Sequence, residues 1–148
     1  MKNWFLFIFF LCLVPVFLHI PIFKLNKKDI EMIKTLGLIH FTSNENALKI
    51  KTDGFKGSVS HMGGIERLLG NLIWFYINTP DQKQKQKILF NTSRGKKDKK
   101  RFEVCIIVND LNDEDIKKMR KRIGFSKKDK AIVYKGDKFI PKKMIIGK

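Results

Sequence analysis

Trp4 to Phe23 read WFLFIFFLCLVPVFLHIPIF, twenty consecutive residues without a charge. At about 1.5 Å rise per residue, a helix of that length covers the ~30 Å hydrocarbon core of a bilayer. Such a run is a cleaved signal peptide, a membrane anchor or a buried core helix. A signal peptide wants a basic start, a short apolar centre and a small-residue cleavage site. Lys2 is the one early side-chain charge, and Leu18 to Phe23 contains no Ala, Gly or Ser, which argues against cleavage. A soluble core helix would show polar positions at helical spacing, and only Cys12 and His19 interrupt this surface. The run therefore predicts a transmembrane anchor over residues 1–23. Pro15 and Pro21 kink it or mark its end, which a single span tolerates. His19 reads as an interface residue near lipid headgroups.

The flanks orient the span. Lys24, Lys27, Lys28 and Lys34 follow it, against Lys2 and the α-amino group before it. The positive-inside bias then puts the N-terminus outside and the C-terminal part in the cytoplasm. The cysteines agree with a reducing compartment: Cys12 lies in the run and Cys105 in the apolar stretch FEVCIIV, so a disulfide between them is not expected. His19, His40 and His61 are scattered, with no Cys or carboxylate grouping nearby, and no metal site is expected.

Residues 24–148 carry all fourteen acids and thirty of the thirty-one Lys and Arg, a net of +16. That length suits one domain, expected over residues 36–148 after a juxtamembrane linker at 24–35. Between Lys83 and Arg101 nine bases face one acid among Gln, Asn, Ser and Gly. This composition predicts a basic loop or extended hairpin over residues 82–101. Each Lys or Arg brought to an anionic inner leaflet gains about 1 kcal/mol, so anionic membrane lipids are the simplest partner for the charge. Nucleic acid uses the same residues. However, the loop holds one aromatic, Phe90, where base stacking favours several, and no DNA- or RNA-binding signature is present.

Leu36 to Phe41 reads as a short strand, with Thr42 and Glu45 as a capping box for a helix that Gly54 ends. Gly63 to Gly70 has room for a helical turn or two. Leu72 to Ile77 and Phe102 to Val108 have strand composition. Asp113, Glu114 and Asp115 suit the first turn of a helix, and Lys118, Arg120, Lys121 and Arg122 its last, with Gly124 beyond. Ala131 to Tyr134 and Lys143 to Ile146 are expected as final strands. Many strands and two or three helices predict an α+β domain on a mostly antiparallel sheet.

Ile39-His40-Phe41-Thr42, then Ala47, Ile50 and Asp53-Gly54-Phe55, resembles the opening of the ADP-ribosyltransferase superfamily, in which a strand bearing His-x-Thr or His-x-Ser leads into a helix and a Gly-aliphatic or Gly-aromatic turn. Ile73 to Tyr76 resembles the strand that supplies an aromatic to the nicotinamide pocket. Ala131 to Tyr134, Gly136-Asp137 and Ile140 to Ile145 resemble the last strand pair of the poly-ADP-ribose polymerase type. The likeness implies an NAD pocket in which His40 and Thr42 hold the ribose and carboxamide region and Phe75 or Tyr76 stacks on the ring.

The family's late-strand Glu is missing: Lys130, preceded by Asp129, stands just before Ala131. Cleaving the nicotinamide bond builds positive charge on the ribose, which a carboxylate stabilises and an ammonium opposes. At an effective dielectric of ~20, a unit charge ~4 Å away is worth about 4 kcal/mol either way. Asp129 is one residue out of register on a strand, and Glu103 on another strand is the remaining candidate.

Each of these residues also has a structural reading: His40 as a hydrogen-bonded core histidine, Thr42 as a helix cap, and Trp74, Phe75 and Tyr76 as core of a small sheet. No Ser-His-Asp or Cys-His set, P-loop or carboxylate pair is present, and no residue is assigned as catalytic. The expectation is a single-pass membrane protein exposing a small basic domain to the cytoplasm. Its role is to bind a peptide or protein partner, or to protect, immunity-like, against a membrane-active peptide or toxin, with no cofactor. The alternatives are an NAD-dependent ADP-ribosyltransferase or RNA 2'-phosphotransferase-like enzyme, and a nucleic-acid-binding protein.

Overall fold

The computed structural model describes residues 22–59, 70–82, 84, 86, 102–123 and 130–147. The apolar run up to Pro21, the turns expected between Gly63 and Gly70, most of the basic segment, Gly124 and Asp129 lie outside the described residues. The chain enters as β1 (Ile22–Lys24), so Ile22 and Phe23, assigned above to the apolar run, are strand residues.

Helix α1 (Lys27–Leu36) follows at once. Asn26 accepts from the Asp29 amide at 2.8 Å, and the Asp29 carboxylate accepts from the Asn26 amide at 3.2 Å, a reciprocal cap. Ile33 lies in the core at 1% exposure. Residues 24–35, expected as a linker, are thus the end of β1 and most of an integral helix. Gly37 ends it at φ +79°.

Strand β2 (Leu38–Thr42) leads into α2 (Asn44–Asp53). The cap is Ser43, one residue later than expected, and its side chain accepts from the Asn46 amide at 3.2 Å. Gly54 closes α2 at φ +81°, with its amide on the Ile50 carbonyl at 2.8 Å. Then come β3 (Phe55–Lys56), β4 (Ser58–Val59), β5 (Asn71–Ile77) and β6 (Val104–Asn109). Gln82, Gln84 and Gln86 have helical backbone, so the described start of the expected basic loop is helical.

Helix α3 (Asp113–Lys117) is capped by Asn112 and stops at Lys118. The sequence pattern carries it on to Arg122, but Met119–Ile123 forms β7. The acids sit in the first turn as expected. Lys118 ends the helix, whereas Arg120, Lys121 and Arg122 lie on a strand. Pairing decides this: β7 lies between β1 and β8 (Lys130–Lys135) with Met119 at 1% exposure, and two ladders outweigh a helical preference of tenths of a kcal/mol per residue. Strands β9 (Lys138–Phe139) and β10 (Lys143–Gly147) finish the chain.

The main sheet runs β1-β7-β8-β5-β2-β6-β10 with β4 beside β5, all antiparallel, and β3 pairs with β9 separately. The α+β class with a mostly antiparallel sheet and three helices is as expected. One sheet face carries the core: Leu38, Ile73, Phe75, Val104, Ile106, Val108, Met119, Ile132 and Tyr134 meet Ile33 of α1 and Ala47 and Ile50 of α2. Ile39, Leu72, Cys105 and Val133, at alternate positions, are buried on the other face. No helix among the described residues is long and apolar enough to cross a membrane.

Candidate functional site: a fork between β2 and β5

β2 and β5 pair only at Leu38 with Ile77 and Ile39 with Tyr76. Beyond Ile39, β2 continues along β6 as far as Thr42 opposite Val104, while β5 continues along β8. Further on, β4 takes the place beside β5, with Ser58 opposite Leu72 and Val59 opposite Asn71. The sheet therefore forks at its centre, and among the described residues Ile73 to Phe75 have no ladder partner on that side.

His40 sits in the crotch. Its Nδ1 lies 2.7 Å from the Trp74 carbonyl oxygen. A carbonyl only accepts, so Nδ1 carries the proton. The ring meets Phe55 edge-on at 5.2 Å and Phe75 at 5.8 Å, and Phe55 and Phe75 meet each other at 5.0 Å. Phe139 and Tyr134 extend the cluster, their rings stacked 4.6 Å apart. Burial of the imidazole lowers its pKa from the ordinary 6.5, and the hydrogen bond to Trp74 opposes that shift. His40 is held neutral.

Thr42 is buried on the same face, and its hydroxyl accepts from the Asn46 side-chain amide at 2.7 Å. Phe75 shares that face at 1% exposure. Tyr76 is on the other face, its ring 6.2 Å from Phe41. Of the four residues expected around NAD, His40, Thr42 and Phe75 thus come together and Tyr76 does not join them. An aromatic at 1% exposure offers no open face to a nicotinamide ring.

Lys130 opens β8 opposite Ile123. Glu103 is exposed, and its carboxylate accepts from the Asn44 amide at 3.1 Å at the start of α2, where the helix dipole favours an anion. It serves as a cap. Among the described residues no group of three His, Cys, Asp or Glu is placed to hold a metal ion.

Sequence reasoning named Phe55 only as part of a glycine turn. Its role was legible in principle, since an aromatic directly after a helix-ending glycine is turned back towards the core. The Trp74 carbonyl as partner of His40, and Asn46 as partner of Thr42, leave no trace in residue spacing. No family model, curated protein or solved structure matches this chain.

Proposed function

We propose that residues 4–21 thread the membrane once and hold the folded body at its cytoplasmic face as a non-catalytic binding domain, engaging or shielding against a peptide or protein partner in an immunity-like role. Without Ile22 and Phe23 the run is eighteen residues, ~27 Å as a helix and still within spanning length.

The observation that carries the non-catalytic reading is the packing of Phe55 and Phe75 onto His40. The group that would grip a dinucleotide is instead a half-buried histidine packed against Phe55 and Phe75 and bound to the Trp74 carbonyl. No carboxylate among the described residues faces it in the family's manner: Lys130 stands at the Glu position, and Glu103 caps α2. The test is incubation of the full-length protein with labelled NAD and acceptor proteins or RNA. No nicotinamide release and no transfer are expected; turnover that disappears in His40→Ala would overturn the reading.

The fork itself favours the second reading, an enzyme of the ADP-ribosyltransferase kind. A His-x-Thr strand borders the split in the central sheet, and His40 and Thr42 share one of its faces. The same incubation decides between the two.

A further inference from the structure

The start of the folded body carries charge that its own fold does not explain. Lys24, Lys27 and Lys28 are all exposed. Lys24 on β1 lies directly opposite Arg120 on β7, a like-charge cross-strand pair, with the half-buried Arg120 guanidinium drawn onto the Lys117 and Met119 carbonyls. Lys27 and Lys28 are the first two residues of α1, at the positive end of the helix dipole, where cations are disfavoured. The acids in this stretch are Asp29, which is buried and bound to Lys121 at 3.1 Å, and Glu31, exposed one turn after Lys27 and Lys28, so three exposed lysines face a single exposed carboxylate. Phe23 beside them is 46% exposed. These residues form one edge of the body, because β1 is the terminal strand of the sheet and the Asp29–Lys121 bridge pins the first turn of α1 against β7.

From this we infer that the β1 edge, with Phe23, Lys24, Lys27 and Lys28, is a docking face for anionic lipid headgroups. The inference rests on the reading of residues 4–21 as a span. Pro21 joins directly to β1, so no linker separates this edge from the bilayer. Lys24 lies two residues beyond Ile22, ~7 Å of strand, inside the ~8 Å screening length of physiological salt. An exposed aromatic among lysines is the composition that settles at a headgroup interface. The anionic surface compensates Lys24 and the two lysines at the helix start, and it fixes the orientation of the body on the membrane.

The experiment uses the full-length chain in phosphatidylcholine vesicles, with and without about a third phosphatidylglycerol to supply the surface charge. Amide hydrogen exchange is followed over residues 22–30, and carbonate extraction is run in parallel. On the anionic vesicles exchange is expected to slow by at least about tenfold. The slowing should be lost at high salt and in the variant combining Lys24→Glu, Lys27→Glu and Lys28→Glu. Those positions are exposed, and glutamate suits a helix start, so the variant keeps its fold. Equal exchange on both vesicles in a chain that resists carbonate overturns the docking face and leaves the span intact. Release of the chain by carbonate overturns the span, and the docking face with it. The same lysine-dependent slowing on neutral vesicles with added RNA or DNA makes the edge a nucleic-acid surface and overturns the proposal.

Discussion

His40 donates from Nδ1 to the Trp74 carbonyl at 2.7 Å, across the point where β2 and β5 part company. A side chain thus does what a backbone amide does elsewhere in the sheet, satisfying a carbonyl that the fork would leave without a ladder partner. The cluster of Phe55, Phe75, Phe139 and Tyr134 forms around that bond, so the residue that looks most like a catalytic group also closes the sheet.

His40→Ala should therefore destabilise the fold whatever its effect on binding. Loss of the hydrogen bond and of the ring contacts is expected to cost about 2–4 kcal/mol, read as a lower urea midpoint at an unchanged slope. A midpoint equal to wild type would show that the fork closes without the imidazole.

The same histidine gives the stability a pH dependence of known sign. Burial lowers its folded-state pKa below 6.5, so as the pH falls the unfolded chain takes up the proton first. Stability is full above about pH 6.5 and declines below it, by at most about 1.4 kcal/mol per pH unit, until the folded-state imidazole also protonates. Thermal unfolding between pH 8 and 5, compared with His40→Gln, checks this: the part of the decline due to His40 should vanish in the variant.

Lys121 reaches Asp29 from β7 with its side chain 15% exposed, against 4% for the aspartate. Lys121→Met leaves that carboxylate buried without its cation and should cost about 2–3 kcal/mol, well above the worth of a surface pair. Adding Asp29→Asn, which keeps the cap acceptor, should restore part of the loss in a double-mutant cycle. Additive single losses would mean that the two groups do not interact.

Gly37 and Gly70 provide a matched pair. Both have positive φ, +79° and +80°, but a Cβ at Gly37 would lie 2.6 Å from the Val108 carbonyl oxygen, whereas at Gly70 it meets nothing within 4 Å among the described residues. Gly70→Ala should cost about 1 kcal/mol for the backbone alone. Gly37→Ala should cost at least about 1 kcal/mol more, for forcing β2 away from β6. Equal midpoints in urea would contradict the close packing at the end of α1.

Much of the fold was legible because the local signals agreed. The helix that Gly54 ends, the aromatic strand at Leu72 to Ile77 and the apolar strand containing Cys105 each had composition and punctuation pointing one way. The short strands β1, β3, β4 and β9 were not legible, and two longer elements were missed for instructive reasons. Helix α1 was hidden because its apolar residues, Ile30, Ile33 and Leu36, are embedded among lysines next to a far stronger apolar run. Strand β7 was hidden because Asp113 to Arg122 satisfies every rule for a helix, and only pairing partners on both sides, Ile22 to Lys24 ~100 residues away and Lys130 to Tyr134 after it, convert it into a strand. At the site, His40, Thr42 and Phe75 could be named from motif and composition. Which face Tyr76 takes depends on register, and Phe55 as the filler depends on how the turn after Gly54 folds back.

Protease accessibility of a C-terminal tag is the most direct test of the proposed arrangement. In intact cells the tag should be protected, in inverted membrane vesicles it should be cleaved, and the intact chain should remain in the membrane fraction. Cleavage of the tag from outside intact cells, or a mature chain beginning after residue 21, would contradict the account.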